Sequence, residues 1–207
     1  MIRACRLRYS LAAVIVAVIG TTTLAAESRK YSVTKGVPYV ERSDTALLAD
    51  IYVPEGDGPN PGVLLVHGGA WMGGNKSRMG HIGRRLAEHG YTAVAIQYRL
   101  APQHVWPAQI EDCKAAVRWM RQNAAQYKID PDHLAGYGYS AGGQLVALLG
   151  TTDASCGLEG LAGAAAGDAE PAVGSTRLQC VVAGGAPCDF RALPARSPLL
   201  LYWLGGT

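Results

Sequence analysis

Hydrophobic residues along the chain fall into short runs that are typical of β-strands. Six such runs are predicted strands, at 31–40, 47–53, 62–66, 91–97, 133–137 and 180–184. The first two are expected to pair as a hairpin at a sheet edge. The run Gly62-Val63-Leu64-Leu65-Val66 is continuously apolar, which is typical of a parallel strand buried on both faces.

Between these runs, apolar residues recur at helical spacing. Helices are predicted at 81–89, 107–127 and 141–149. The longest carries a continuous apolar face, formed by Ile110, Cys113, Val117 and Met120. Strands that alternate with helices indicate an α/β domain, with a mostly parallel sheet and helices on both faces.

The remaining segments connect or extend these elements. Segments 55–61 and 129–132 are rich in Gly, Pro or Asp and predict turns. The Gly- and Ala-rich stretch 157–175 predicts a solvated insertion, with a lid over a site as the alternative. Near the end, the apolar stretch 199–204 predicts a helical or packing segment.

The N-terminal residues have the layout of a secretory signal peptide. Three arginines precede the apolar run 11–19, and small residues follow it. A membrane anchor is the alternative, but the run is about half of the roughly 20 residues that a spanning helix needs. We therefore predict a signal peptide at 1–25, one domain at 26–207, a secreted or periplasmic location, and no membrane span after cleavage.

The charge balance argues against nucleic acid as a partner. The chain has 19 Lys and Arg against 16 Asp and Glu, and three of the arginines lie in the predicted signal peptide. The mature chain therefore balances at zero. No basic patch remains that would favour nucleic acid or an anionic membrane.

Four cysteines follow the predicted signal peptide, at Cys113, Cys156, Cys180 and Cys188. They form no Cys-x-x-Cys pair and no close cluster with histidine, so neither a metal nor a cofactor is expected. An oxidising compartment permits disulfides. We predict one bridge between Cys156 and either Cys180 or Cys188, and a buried thiol at Cys113.

One motif carries a candidate nucleophile. Gly138-Tyr139-Ser140-Ala141-Gly142 is a Gly-x-Ser-x-Gly motif between a short predicted strand and an apolar predicted helix. This context indicates a nucleophile elbow, a sharp turn that exposes the serine hydroxyl at the carboxyl end of a sheet. The start of the following helix offers N–H groups and a positive dipole end, which favour an oxyanion. Ser140 is therefore the predicted nucleophile.

A second motif, His67-Gly68-Gly69-Ala70-Trp71, follows the buried strand directly. Here the chain resembles the α/β-hydrolase esterases of the hormone-sensitive-lipase-like kind, particularly secreted bacterial esterases related to feruloyl and acetyl-xylan esterases. Those enzymes carry His-Gly-Gly-Gly and an aromatic residue at this point. The resemblance implies an oxyanion hole formed by the N–H groups of Gly68, Gly69 and Ala141. Ala70 departs from the family's third glycine, which matters only if a positive φ is needed there.

The resemblance covers roughly residues 31–207, and further stretches support it. Tyr98-Arg99-Leu100-Ala101-Pro102, Trp106-Pro107-Ala108 and Glu111-Asp112 match a family stretch between a strand and the next helix. The resemblance implies an α/β-hydrolase fold and a serine carboxylic-ester hydrolase that forms an acyl-enzyme on Ser140. Small-molecule or carbohydrate-linked esters are the substrates it suggests.

Other residues near these motifs receive structural interpretations. The resemblance implies that His67 supports the oxyanion loop, and a role as catalytic base is the alternative. Arg99 and Asp112 are expected to form a structural ion pair. Trp71 is expected to be a packing residue, with contact to substrate as the alternative. The remaining histidines are expected on the surface or in turns: His81, His89, His104 and His133.

The base and the acid of a catalytic triad are not evident in the sequence. In this family the order is Ser, then Asp or Glu, then His, but every histidine precedes Ser140. Acids in the right order are Asp153, Asp168 and Asp189. We therefore expect a C-terminally truncated hydrolase domain whose last strands are missing, with an apolar strand 180–184 left at the sheet edge. The alternative functions are a catalytically inactive hydrolase-like protein and a secreted serine peptidase of the same fold.

Overall fold

The computed structural model describes residues 28–41, 46–160, 174–191, 194 and 196–206. The strands are β1 Tyr31–Glu41, β2 Ala46–Pro54, β3 Asn60–Val66, β4 Thr92–Ile96, β5 Ile129–Tyr139 and β6 Cys180–Gly184. They form one sheet in the order β1-β2-β4-β3-β5-β6. The β1–β2 hairpin lies antiparallel at one edge and β2 is antiparallel to β4, whereas β4, β3, β5 and β6 are parallel. The predicted mostly parallel sheet with an edge hairpin is confirmed.

Helices cover both faces of this sheet, as predicted. They are α1 Gly80–Glu88, α2 Ala108–Gln122, α3 Ala141–Thr151 and α4 Pro198–Leu204. Short 3-10 turns precede α1 at Lys76–Met79 and follow α3 at Ala154–Cys156. The fold is therefore the α/β arrangement expected from the alternation of strands and helices.

The central strand β3 shows how the sequence builds two cores. Because successive side chains point to opposite faces of a strand, Leu64 and Val66 enter the core beneath α2 and α3. Val63 and Leu65 enter a smaller core beneath α1. The four predicted apolar positions of α2 are all fully buried in the larger core: Ile110, Cys113, Val117 and Met120.

Two predicted boundaries are wrong. The helix predicted at 107–127 ends at Gln122, because the Asn123 side-chain and backbone N–H groups both donate to the Trp119 carbonyl and close the last turn. The turn predicted at 129–132 lies inside β5. Ile129 already pairs with Asn60 of β3, and the residues at 131–133 form an irregularity before pairing resumes at Leu134.

The insertion predicted at 157–175 is described only at its ends, and residues 161–173 lie outside the described residues. Glu159 at the first end accepts hydrogen bonds from Lys114 Nζ at 2.6 Å and from Arg118 at 2.9 Å. At the other end, Gln179 exchanges hydrogen bonds with Leu134 near the start of β5. The second end therefore lies toward the amino edge of the parallel strands, whereas a Cβ atom on Gly160, at the first end, would lie 3.1 Å from Glu111 Cβ near the start of α2.

The predicted disulfide is wrong for the described residues. Cys113, Cys156, Cys180 and Cys188 are all free thiols, and Cys113 is buried as expected. Cys156 lies in the 3-10 turn after α3, with its Sγ 3.9 Å from Asp153 Oδ1. Cys180 begins the strand β6, where its backbone pairs with Ala135.

The N-terminal prediction falls outside the described residues. The proposed signal peptide at 1–25 lies before the first described residue, and so does the start of the predicted domain at 26. In the part of the chain that the structure describes, no helix combines the length and the apolar character needed to cross a membrane.

A buried ion pair joins the segment after β4 to α2, as predicted. Asp112 is fully buried and accepts hydrogen bonds from both the backbone N–H and the guanidinium of Arg99. Glu111 of the same helix accepts a further bond from Arg99 at 3.0 Å. This link fixes the approach of α2 to the carboxyl end of the sheet.

Replacing Arg99 with Met should lower the free energy of unfolding by about 2–3 kcal/mol. The Asp112 carboxylate would lose the charge-assisted bonds of the guanidinium but keep the backbone N–H of residue 99. Urea denaturation followed by circular dichroism measures the change. Arg191→Met is the matched control, because Arg191 pairs with Asp189 in full solvent and its loss should change stability little. Equal losses for both variants would contradict a structural role for the Arg99 link.

Candidate active site

Ser140 lies where β5 ends and α3 begins, at the carboxyl edge of the parallel strands. Its backbone has φ 55° and ψ −123°, a left-handed conformation that residues other than glycine rarely adopt. It occupies the N-cap position of α3, yet its hydroxyl makes no capping hydrogen bond. The strained turn therefore leaves the hydroxyl available to a ligand, as the elbow interpretation requires.

Two glycines permit this turn. A Cβ atom on Gly138 would lie 2.2 Å from the carbonyl oxygen of Gly142. A Cβ atom on Gly142 would lie 2.1 Å from the carbonyl oxygen of Val66, at the end of β3. Both distances are too short for real atoms, so only glycine allows β5 to turn sharply into α3 beside β3.

The loop after β3 packs directly against the elbow. A Cβ atom on Gly68 would lie 2.7 Å from the carbonyl oxygen of Tyr139 and 3.1 Å from Ser140 Cβ. Gly69 has φ +136°, and its carbonyl oxygen accepts hydrogen bonds from the N–H groups of Met72 and Gly73. The structure thus brings the predicted oxyanion residues Gly68 and Gly69 to Ser140, the predicted nucleophile, and all three line one cavity of about 450 Å³.

The third predicted oxyanion residue, Ala141, is the first residue of α3 and is fully buried. An N–H at this position has no partner within its own helix. It directly follows Ser140, so its backbone lies at the positive end of the helix dipole and beside the nucleophile.

Ala70, which stands where the family motif has a third glycine, has a strained backbone. Ala70 has φ 54° and Trp71 has φ 59°, both in the left-handed region. Position 70 therefore adopts the positive φ that a glycine would hold without strain, so the replacement of the family's third glycine by Ala70 matters. Such a conformation costs roughly 1–2 kcal/mol for a residue other than glycine, so contacts elsewhere in the loop must offset it.

Those contacts come from Trp71, which is a packing residue with an exposed fraction of 1%. Its ring stacks on Trp203 of α4 with the ring centroids 3.9 Å apart. Its Nε1–H donates to Gln144 Oε1 on α3 at 3.2 Å, and its carbonyl accepts from the Ala101 N–H at 2.9 Å. The loop is thus attached to α3, the helix that begins at Ser140, and to α4.

His67 braces the same loop from the other side. It is buried, its ring stacks on Tyr98 at 4.3 Å, and its Nδ1 donates to the Gly68 carbonyl at 2.9 Å. The Tyr98 hydroxyl donates to the His67 carbonyl at 2.9 Å. Burial, aided by the nearby charge of Arg78, lowers the pKa of His67. A neutral imidazole engaged in this way fits the expected supporting role and not that of the base.

The cavity beside Ser140 also contains side chains that the sequence did not assign to the site. Arg78 and Met79 come from the 3-10 turn, and His81 and Ile82 come from the start of α1. His81 is exposed, as predicted, but it faces this cavity and not only bulk solvent. The spacing of Arg78 and His81 by three residues, just after the glycine loop, is the one sequence signal that could have revealed them.

The candidate acids serve local turns. Asp153 accepts hydrogen bonds from the Ser155 backbone and hydroxyl, and the hydroxyl bond is the main reason why the pKa of Asp153 is lowered. Asp189 pairs with Arg191 in solvent, which lowers its pKa in the same way. Asp168 lies outside the described residues. Among the residues that the structure describes, no histidine is hydrogen-bonded to the Ser140 hydroxyl.

Known proteins similar to this chain are esterases. Over 95 residues it is 42% identical to esterase LipC of Mycobacterium tuberculosis, which covers 45% of this chain and 24% of that protein. Over 109 residues it is 38% identical to an arylesterase of Saccharolobus solfataricus, which covers 52% of this chain and 36% of that protein. The matched regions thus span about a third or less of these relatives' own lengths.

Solved structures agree with this result over more of the chain. A truncated form of a carbohydrate esterase from gut microbiota is 30% identical, with a TM-score of 0.62 over 79% of this chain and 59% of that one. The apo form of esterase 2 from Thermogutta terrifontis has a TM-score of 0.67 over 88% of this chain at 22% identity, a likeness that shows the fold alone. The α/β-hydrolase fold predicted from the motifs is confirmed.

The family is shown by the match over most of the chain. Residues 49–204 match the BD-FAE family, a span that includes both glycine motifs and the helix α4. The chain therefore belongs to the BD-FAE family, among the hormone-sensitive-lipase-like esterases of the α/β-hydrolase fold.

Proposed function

We propose that the protein hydrolyses carboxylic esters through an acyl-enzyme formed on Ser140. The observation that carries this proposal is the direct contact between the Gly68 backbone and the strained Ser140 turn. This contact supports a reaction in which one carbonyl group meets both the hydroxyl and a set of backbone donors. The named esterases among the relatives support the same reaction class.

In the proposed reaction, Ser140 Oγ attacks the ester carbonyl carbon and its proton passes to a general base. The carbonyl oxygen becomes an oxyanion, held by the N–H groups of Gly68, Gly69 and Ala141. The alcohol then leaves with a proton, and water hydrolyses the acyl-enzyme through a second oxyanion in the same hole. Backbone donors fixed in place before the reaction are effective because they need no reorganisation as the charge develops.

A serine hydroxyl is a weak nucleophile and needs a base within hydrogen-bonding distance. No histidine follows Ser140 in the sequence, and the histidine of the oxyanion motif, His67, is occupied by the Gly68 carbonyl. We therefore propose that these 207 residues alone turn over esters slowly, and that the activity is measured best on the full-length gene product.

The finer substrate class is also a proposal. Carbohydrate-linked esters are favoured by the 30% identity to a protein described as a carbohydrate esterase. The arginine-rich start of the chain and the small residues near 21–26 support a secreted or periplasmic protein that would meet such substrates.

Replacing Ser140 with Ala in the full-length gene product should reduce the hydrolysis of short-chain para-nitrophenyl esters to the buffer background. The variant loses the nucleophile, and alanine should keep the fold, which circular dichroism checks. Ser155→Ala, which removes an exposed hydroxyl in the turn after α3, is the matched control and should keep wild-type activity. Undiminished turnover in the Ser140 variant would eliminate Ser140 as the nucleophile.

Replacing Gly68 with Ala should lower kcat about 100-fold, because a Cβ at this position would push the oxyanion loop away from Ser140. Gly73→Ala is the matched control in the same loop, because its added methyl group would contact few atoms. Its Cβ would meet only the Gly69 carbonyl, at 3.9 Å, and should leave kcat within about a factor of three. Steady-state kinetics with a para-nitrophenyl ester compares the two variants, and equal effects would argue against a specific role for the Gly68 approach.

A further inference from the structure

Two nitrogen-bearing side chains line the cavity beside Ser140. Arg78 comes from the 3-10 turn Lys76–Met79, and His81 lies three residues later in α1. Both residues are exposed. Residues three apart on a helical segment lie on the same side, so the two face the cavity together across from Gly68 and Gly69.

The turn that carries Arg78 is held firmly by its other residues. The Asn75 side chain accepts the Ser77 N–H at 3.0 Å and so caps the turn. Lys76 reaches Asp50 of β2, with its Nζ 3.3 Å from Oδ1, and Met79 is buried in the core beneath α1. These anchors fix the backbone of Arg78 at the rim of the cavity.

Two of the basic residues near Arg78 have carboxylate partners that Arg78 lacks. Lys76 pairs with Asp50, and Arg85 of α1 pairs with Glu88 at 3.0 Å. In the described ranges, no carboxylate lies within ion-pair distance of Arg78. The side chains that line the cavity include no acidic residue. Among the residues that the structure describes, the Arg78 guanidinium thus has no carboxylate counter-ion, and it lines the cavity beside Ser140.

The positive charge of Arg78 acts on a residue of the oxyanion loop. It contributes, after burial, to lowering the pKa of His67, the residue that braces the oxyanion loop. A guanidinium presents a planar set of N–H donors that matches a carboxylate in a bidentate geometry. A cavity with this cation and without acids favours a negatively charged group on the bound molecule.

We propose that this cavity selects esters that carry a carboxylate, on either the acyl or the alcohol part, and that Arg78 pairs with it. The inference rests on the proposed esterase function of Ser140. In this arrangement Arg78 determines specificity and takes no part in bond making. His81, at the same wall, adds an N–H donor for the same group.

The test compares matched neutral and anionic esters on the full-length gene product. Para-nitrophenyl butyrate is paired with para-nitrophenyl hydrogen succinate, which places the charge on the acyl part. Phenyl acetate is paired with para-acetoxybenzoate, which places it on the alcohol part. The measured quantity is the ratio of kcat/KM for the anionic ester to that for its neutral partner.

Arg78→Gln should lower this ratio about fivefold for at least one pair, since exposed ion pairs contribute about that much. Arg78→Lys should restore part of the preference. Arg85→Gln is the matched control: it removes the same charge from α1 but outside this cavity, and should leave the ratio at the wild-type value. Added salt should reduce the wild-type preference by screening.

The inference is overturned if Arg78→Gln leaves both ratios unchanged, or if Arg85→Gln lowers them equally. If neither ester is hydrolysed, the esterase proposal fails by itself, and a binding measurement still decides the subsite. Ligand-observed NMR then compares para-acetamidobenzoate with neutral para-acetamidobenzamide. Binding of the anion that weakens about fivefold in Arg78→Gln supports the subsite, and equal binding of the two probes eliminates it.

Discussion

The whole site depends on one steric constraint, the contact of three backbone segments around Ser140. The end of β3, the turn after β5 and the start of α3 approach so closely that side chains at Gly68, Gly138 or Gly142 would collide with main-chain atoms. This contact holds Ser140 at a positive φ, and its hydroxyl makes no capping hydrogen bond to the helix that it begins. The parallel pairing of β3 with β5 sets this geometry, because it brings both carboxyl ends to the same edge.

Strain in this arrangement is balanced by packing at a distance. Ala70 and Trp71 both hold left-handed conformations in the oxyanion loop, and the aromatic contact of Trp71 with Trp203 offsets part of that cost. Trp203 is itself fixed by a hydrogen bond from its Nε1–H to Gln109 of α2. The short helix α4, far along the chain, thereby supports the geometry beside Ser140. This long-range support links the stability of the fold to the shape of the oxyanion loop.

Sequence patterns predicted the parts that depend on local chemistry. The strand β6 was predicted at its observed bounds, and the glycines beside Ser140 were read correctly as a turn, because periodicity and steric need are visible in neighbouring residues. Other features were not predicted, some set by local capping and some by contacts far along the chain. The early end of α2 reflects capping by Asn123, the irregularity in β5 is set by its register with β3, and the free thiol of Cys156 follows from where its turn lies. Arg78 and His81 reach the site only through the packing of α1 against the sheet.

We propose that Ser140, held at the turn between β5 and α3, is the residue that the fold prepares for nucleophilic attack. The most direct test of this proposal is chemical labelling of the full-length gene product with paraoxon, followed by mass spectrometry of the peptides. We expect one diethylphosphoryl group per chain, carried by the peptide that contains Ser140, with other serines unmodified. A label on a different serine, or no label on a folded protein, would contradict it.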